Sequence, residues 1–330
     1  MTGSEEKQYD LLIVGAGPTG LACGIEAGRA GLSTLIVEKG CLVNSIFHYP
    51  TNMVFFTSRD LLEIGGVPFA SVNLKPSRAE ALEYYRRVTE YFNLPVHLNE
   101  QVIALDRDDA GFYIRTSGDS DNVHTYLARK VILATGYYDQ PNLLNVPGEN
   151  LPKVSHYYTD PHPFYRQKVA VIGGGNSAAE AALDLHRHSA EVTLIHREKT
   201  LSKNLKYWVK PDIENRIAEG AIPARFNTVV RQITRESVRI SGPDGDDELP
   251  AAGVFLLTGY HPDWELLERA GVVIDPAGPV ARYDPETMET DVPGLFLAGG
   301  VVSGRASPPV FIENGRLHGE RIARAIRKRA

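Results

Sequence analysis

Short apolar runs that stop at glycine recur along the chain. Asp10-Leu-Leu-Ile-Val-Gly15 has the pattern of a parallel strand buried on both faces. Residues 20–29 then predict a helix, Gly31 breaks it, and Thr34-Leu-Ile-Val predicts a second strand followed at once by Glu38. That is a strand–helix–strand unit. The layout returns over residues 168–196, with a strand over 169–172, a helix over 177–188 and a strand over 192–195. Three further apolar runs of this type end at Gly136, Gly259 and Gly300. Alternating apolar positions over 101–116 predict antiparallel strands. Residues 76–92 predict a helix starting near Ser77, and residues 311–329 predict one closing helix whose basic last turn suits the helix dipole. The proline-rich stretches 141–152 and 161–163 read as a connection between domains.

Composition narrows the class. The 330 residues are 43% hydrophobic and 23% charged, enough to bury a core. Lys+Arg is 35 against Asp+Glu 41, a net charge of −6, so no basic face for nucleic acid is expected. No apolar run reaches the roughly 18 residues of a membrane span. The first ten residues are polar and acidic and carry no signal-peptide pattern, so a cytoplasmic protein is expected. Two cysteines, Cys23 and Cys41, exclude a disulfide-stapled scaffold and a four-cysteine metal site. The ten histidines show no HExxH or paired-ligand spacing, and no metal site is expected.

The chemistry sits in two glycine fingerprints. Gly15-Ala-Gly17-Pro18-Thr19-Gly20 has GxGxxG spacing between a strand and a helix. Gly15 allows the tight turn, Gly17 lets backbone approach a pyrophosphate, and Gly20 lets helix and strand pack closely. Gly20, Gly24 and Gly28 recur at every fourth position, which predicts a thin helix face. Glu38, at the end of the second strand, is placed to accept hydrogen bonds from both ribose hydroxyls. The second fingerprint, Gly173-Gly-Gly175-Asn176-Ser177-Ala178, keeps a small last residue. At the position equivalent to Glu38 it has His196, followed by Arg197 and Lys199. A cationic cluster there favours a 2′-phosphate, hence NADPH over NADH, whereas a carboxylate would repel one. Plain solvated surface charge is the alternative for Arg197 and Lys199.

Together with Leu133-Ala-Thr135-Gly136 and Leu297-Ala-Gly-Gly300, these motifs resemble the low-molecular-weight thioredoxin reductase group of two-dinucleotide flavoproteins over nearly the whole chain. The resemblance implies an α/β fold of two Rossmann-like, three-layer ββα dinucleotide-binding domains. It implies a discontinuous FAD-binding domain, 1–154 and 256–330, and an inserted NADPH-binding domain, 155–255. The stretches Ser45-Ile-Phe-His-Tyr-Pro-Thr51, Ala134-Thr-Gly-Tyr-Tyr138, Gly259-Tyr-His-Pro-Asp263 and Phe311-Ile-Glu-Asn-Gly315 followed by His318-Gly319 are similar to the bacillithiol-disulfide reductase branch. Carried over, Gly15, Gly17, Pro18, Thr19, Gly20, Glu38, Lys39, Ser45, Thr135, Gly136 and Gly300 would contact FAD. Gly173, Gly175, Asn176, Ser177, Ala178, His196, Arg197 and Lys199 would contact NADPH. His48 and Tyr49 are candidates for positioning a substrate or donating a proton, and Tyr137, Tyr138, Tyr260 and His261 for aromatic lids.

The chain departs from both groups in its thiols. Where thioredoxin reductases carry CxxC it has His156-Tyr-Tyr-Thr159. Where bacillithiol-disulfide reductases carry a cysteine inside the first fingerprint it has Thr19, so no thiolate relay is expected there. Gly300 stands where an aspartate is common. The implied activity is electron transfer from NADPH through FAD to a low-molecular-weight disulfide. The alternative acceptor is a small electron-carrier protein such as ferredoxin or flavodoxin, or a quinone. A flavin monooxygenase is a further alternative, since Ala-Thr-Gly followed by Pro141 and Pro147-Gly148 resembles that class, but its FxGxxxHxxxW/F fingerprint is absent; a non-catalytic redox sensor is the remaining class. A homodimer or larger homo-oligomer is implied, with domain hinges near Pro152 and Pro250.

Overall fold

A computed structural model describes residues 8–118, 122–276, 280–304 and 310–328. Its internal contacts divide the chain into two units. The first takes Met1–Phe47, Met53–Gln140 and His261–Ala330, and the second takes His48–Asn52 and Pro141–Tyr260.

The first unit opens with β1 (Gln8–Val14), α1 (Pro18–Arg29) and β2 (Thr34–Val37). Two short helices follow, α2 (Asn44–Phe47) and α3 (Arg59–Leu62), then α4 (Arg78–Tyr91). Strands β3 (Val96–His97), β4 (Glu100–Arg107), β5 (Phe112–Gly118) and β6 (Val123–Leu133) complete its first portion. The sheet order is β3-β2-β1-β6-β5-β4. The central β1 is parallel to both neighbours, β2 and β6, and its apolar run is buried, as a strand covered on both faces requires. Helix α4 begins at Ser77 through a capping box: Glu80 accepts from the Ser77 N–H at 2.8 Å.

The second unit holds β7 (Val154–Ser155), β8 (Lys168–Ile172), α5 (Asn176–Arg187), β9 (Glu191–Ile195), α6 (Lys210–Ala218) and β10 (Ala224–Arg225). An antiparallel ribbon follows, β11 (Val229–Ile233), β12 (Ser237–Gly242) and β13 (Gly245–Pro250), and then β14 (Gly253–Leu256). Its main sheet is parallel, in the order β10-β9-β8-β14-β7. From β8 the chain steps outward to β9 and β10, while β14 and β7 lie on the other side. The order therefore reverses between β8 and β14, the crevice where open parallel sheets bind ligands. The ribbon was not foreseen: its β13 strand, Gly-Asp-Asp-Glu-Leu-Pro, is almost wholly exposed and shows no apolar alternation.

The chain then returns to the first unit with α7 (Trp264–Arg269), β15 (Leu295–Leu297), α8 (Ile312–Gly315) and α9 (His318–Lys328). Strand β15 adds to the far half of β6, pairing Leu295 with Val131 and Leu297 with Leu133. The one closing helix expected from 311 is two, broken at Arg316–Leu317; Arg329 lies outside the described residues. The break has a packing cause. A Cβ on Gly315 would stand 3.2 Å from the Gly299 Cα and 2.9 Å from Thr19 Oγ1, so α8 stops against the first glycine loop. The chain then turns so that α9 can lie along α1, where a Cβ on Gly319 would stand 3.0 Å from the Ala22 oxygen.

The expected boundaries at 154/155 and 255/256 fall inside the second unit, because residues 141–153 are tied there. Asn142 N–H donates to Gly259 O at 2.9 Å, Thr258 Oγ1 donates to Asn142 O at 2.6 Å, and Leu144, Val146 and Leu151 pack on that unit's core. Pro152 and Pro250, read as hinges, are therefore interior to the unit. Among the described residues no helix is long and apolar enough to cross a membrane.

Candidate functional site

In the first fingerprint the three glycines separate by physical role. Gly15 has φ +108°, and a Cβ there would lie 2.6 Å from the Ala134 carbonyl oxygen. A Cβ at Gly20 would overlap the Gly15 carbonyl oxygen. Both are demanded by packing of the loop itself. Gly17 is different. It is the N-cap of α1, no side chain caps the helix, and a Cβ there would meet nothing within 4 Å. The first turn of α1 thus begins beside open space, with Pro18 at N1, where a missing N–H costs nothing. The thin face is shorter than its spacing implied. Gly24 is closed by Ile36 Cδ1, 2.8 Å from a built Cβ, but Gly28 faces open space.

Glu38 is buried at the end of β2. Its Oε2 accepts from Ala16 N–H at 2.8 Å and its Oε1 from Gly40 N–H at 3.0 Å. Burial raises its pKa and the two N–H bonds oppose that rise. Each oxygen retains a second lone pair. Gly136, at φ +69°, also has open space beyond its missing Cβ, with half-buried Thr135 before it.

A second layer behind this loop escaped the spacing arguments. A Cβ on Gly300 would stand 2.7 Å from the Tyr137 ring, which accounts for glycine where an aspartate is common. Gly299, at φ +75°, donates its N–H to His318 Nδ1 at 3.1 Å. The methyl and hydroxyl of Thr19 fill the room left by the missing side chains of Gly299 and Gly315. His318 is buried; desolvation first, and then the Arg321 charge, bring its pKa down to about 4. It is a neutral acceptor whose proton resides on Nε2. The only sequence signal for His318 was its place in the resemblance.

Other expected FAD contacts stand as follows. Lys39 Nζ is 2.9 Å from Asp139, so its charge is already directed at a carboxylate. Ser45 is half-buried on α2, whose last turn is held by Arg78 Nε donating to Ile46 O at 3.1 Å. His48 and Tyr49 group with the second unit, not with Ser45, in a stretch held by Thr51 N–H donating to Thr159 O at 2.9 Å.

The second fingerprint repeats the design. Gly173 has φ +148° and lies against the Leu257 oxygen, and a Cβ on Gly174 would collide with the His196 ring. Gly175 is the N-cap of α5, with no side-chain cap and nothing within 4 Å of a built Cβ. Ala178 is a packing residue: it is fully buried, and its Cβ would be 2.9 Å from one on Gly173. Ser177 is exposed on the first turn. The Asn176 side chain is spent on the neighbouring strap: its Oδ1 accepts from Lys206 N–H at 2.9 Å and its Nδ2 donates to Asn204 O at 3.4 Å. Ser202 N–H donates to Gly174 O at 2.9 Å, fixing the strap's other end.

The cationic cluster is uneven. Desolvation lowers the His196 pKa, with the Arg197 charge adding to that and Glu198 opposing it, so His196 is the least basic member of the cluster. The positive charge resides on Arg197, 78% exposed, and on exposed Lys199. Among the described residues Arg197 has one ion pair, with Glu198 at 3.5 Å, a surface pair of little strength.

Neither cysteine is set up as a thiolate. Cys23 is buried where α1 meets α9, and burial pushes its thiol up to about 12. Cys41 lies 3.5 Å from Asn44 Oδ1, and burial, then the Glu38 charge, raises it as well. At the CxxC position, Tyr158 Oη donates to Asp184 at 2.5 Å and is part of the second unit's core.

The model of a family described as Pyridine nucleotide-disulphide oxidoreductase matches residues 12–299. The chain belongs to that family. It is 42% identical to a bacilliredoxin reductase of Bacillus subtilis over 326 residues, 98% of each chain. Its fold matches bacillithiol disulfide reductases from Bacillus cereus (TM-score 0.96, 38% identity, 98% of this chain and 100% of that one) and Staphylococcus aureus (0.92, 38%, 98% and 99%). A thioredoxin reductase of T. acidophilum shares the fold at TM-score 0.73 and 24% identity. Like other members of the pyridine nucleotide-disulphide oxidoreductases, the chain is an oxidoreductase, and its cofactors are FAD and NADPH. The loops fit two dinucleotides. At Gly17 and Gly175 alone among the fingerprint glycines does a built side chain meet empty space, each at an uncapped helix start.

Proposed function

We propose that the first unit binds FAD through Gly15–Gly20 and Glu38, that the second binds NADPH through the 173–178 loop with Arg197 and Lys199, and that the chain reduces a low-molecular-weight disulfide of the bacillithiol type. The observation that carries this reading is the 42% identity, over 98% of both chains, to a bacilliredoxin reductase. In the net reaction NADPH and one proton are consumed, two electrons break the S–S bond, and two thiols and NADP⁺ are released. Bound FAD supplies two-electron chemistry able to accept a hydride. The chain's own contribution is positioning. Uncapped helix starts hold the pyrophosphates, Glu38 holds the ribose, and neutral His318 holds the 299–300 turn behind the first loop. With Thr19 in the fingerprint and both thiols protonated, the acceptor is reduced without a covalent bond to this chain. A cytoplasmic homo-oligomer belongs to the same reading.

The test is anaerobic. NADPH should bleach the bound flavin, and bacillithiol disulfide should restore its absorbance faster than buffer alone. A flavin that stays reduced in bacillithiol disulfide would overturn the acceptor while leaving hydride entry intact. A protein acceptor is the second reading, supported by 25% identity over 96% of this chain to a ferredoxin–NADP reductase of Ignicoccus hospitalis and by the absence of a thiolate near Thr19. Reoxidation by ferredoxin but not by the disulfide would select it.

A further inference from the structure

The first unit holds a buried carboxylate, Glu100, that the glycine fingerprint does not use. Apart from β15, the sheet of this unit runs from β3 at one end to β4 at the other. Laid flat, its six strands at roughly 4.8 Å spacing would set those ends about 24 Å apart. Yet only Leu98 and Asn99 join β3 to β4, and two residues reach roughly 10 Å. The sheet therefore curls until its two ends meet at residues 97–100. Glu38 lies in that seam. Its N–H donates to His97 O at 2.8 Å, and its backbone O accepts from Glu100 N–H at 2.9 Å. Asn99 N–H donates to Gly40 O at 3.0 Å, with Asn99 at φ +54°.

Glu100 is the first residue of β4, and its side chain closes the seam. Its Oε1 accepts from Tyr126 Oη on β6 at 2.8 Å and from Oγ1 of fully buried Thr116 on β5. Its Oε2 lies 3.2 Å from His97 Nδ1 on β3, and the same nitrogen is 2.9 Å from Tyr126 Oη. One carboxylate thus ties β4 to three other strands. Burial first, then the hydrogen bond to Glu100 and its charge, raise the Tyr126 pKa, so the phenol stays a donor. Taking a carboxylate out of water is a costly way to hold a seam that apolar side chains could fill. What it adds over packing is direction, because it fixes the turn that grips both backbone groups of Glu38.

We infer that Glu100 is a positioning residue for Glu38 and thereby sets the preference of the first unit for a flavin with an intact adenosine ribose. This rests on the proposal that Glu38 holds that ribose. The seam fixes Glu38 on both sides of its peptide, and it fixes Gly40, one of the two N–H donors that aim the Glu38 carboxylate. Loosening Glu100 frees residues 38–40 to shift, and a hydrogen bond weakens steeply once it is misaligned. The Gly15–Gly20 loop does not share this dependence. It is held by its own close packing, with Gly15 against the Ala134 carbonyl and Gly20 against the Gly15 carbonyl. The effect of Glu100 therefore falls on the ribose and spares the pyrophosphate.

The experiment loads the full chain with FAD or with its 2′,3′-dideoxyadenosine analogue and times flavin release by fluorescence. The analogue keeps the flavin, pyrophosphate and adenine but offers Glu38 no hydroxyl. Glu100→Gln and Tyr126→Phe should release FAD at least fivefold faster and the analogue within twofold of the unaltered rate, the latter also reporting an intact fold. Added to Glu38→Gln, Glu100→Gln should change FAD release less than twofold, because the group it positions is already gone. Hydrogen exchange on the unaltered chain needs no variant: FAD should slow exchange over 96–101 more than the analogue does. Equal acceleration of both flavins, no acceleration of FAD, loss of both flavins from the purified variants, full additivity with Glu38→Gln, or equal protection by both flavins would overturn the inference while leaving Glu38 as the ribose acid. Equal release of FAD and the analogue from the unaltered chain would remove that ribose contact and the inference with it.

Discussion

His318→Asn separates a titrating acceptor from a non-titrating one at a single buried position. In the native state His318 Nδ1 accepts from Gly299 N–H at 3.1 Å, and its pKa is brought down from 6.5 to about 4 by burial and then by Arg321. In the unfolded chain the same imidazole titrates near 6.5. Between these values the unfolded state binds more protons, so stability rises with pH. The contribution is complete above about pH 6.5 and is lost progressively as pH falls toward about 4. Between pH 7.5 and pH 5 that single group removes about 2 kcal/mol, because an imidazole lowered from 6.5 to about 4 is still mostly neutral in the folded chain at pH 5 while the unfolded one is charged. Asparagine can still accept from Gly299 but does not titrate. Urea unfolding of flavin-saturated protein, followed by flavin fluorescence at both pH values, should show the unaltered chain losing about 2 kcal/mol more than the variant. Parallel losses would mean that His318 is not held neutral, and the account of the 299–300 turn would fail with it.

Arg197→Ala should raise KM for NADPH roughly tenfold or more and leave KM for NADH nearly unchanged, since a charge-assisted bond of about 1.5–3 kcal/mol is removed from only one cofactor; equal steady-state effects would count against a 2′-phosphate site. Gly17→Ala should change the urea-derived unfolding free energy by less than about 0.5 kcal/mol, because a Cβ there meets nothing and φ is −69°, yet it should reduce flavin retention on gel filtration. Gly20→Ala should cost about 1–3 kcal/mol or more, because its Cβ overlaps backbone. Iodoacetamide at pH 8 should leave Cys23 unlabelled in the native chain and label it only in denaturant, read by peptide mass, since burial pushes that thiol up to about 12.

Much of the site was legible because it is local. A run such as Asp10-Leu-Leu-Ile-Val-Gly15 can only be a covered strand, and glycine at 15 and 20 follows from a turn that must return within a few residues. Strand β2 lies at the four residues its pattern predicted, and the Ser77 start of α4 was visible in the capping residues. Counting from the first glycine of each fingerprint led to Glu38 in one and to His196, followed by Arg197, in the other, since strand and helix lengths in such a unit vary little.

What remained hidden depends on contacts between segments distant in the chain. Gly300 is glycine because Tyr137, 163 residues earlier, occupies the space, and α8 ends at Gly315 because Thr19 and Gly299 are there. His196 has a lowered pKa because its ring is pressed against Gly174, a burial that a list of basic residues does not contain. The boundary of the second unit moved for the same reason: prolines mark where a chain can bend, but the bonds of Asn142 and the packing of Leu144 and Leu151 decide which core a segment joins. Sequence periodicity reports which face of an element is covered; only the folded chain decides what covers it, and that neighbour sets charge state, room and role.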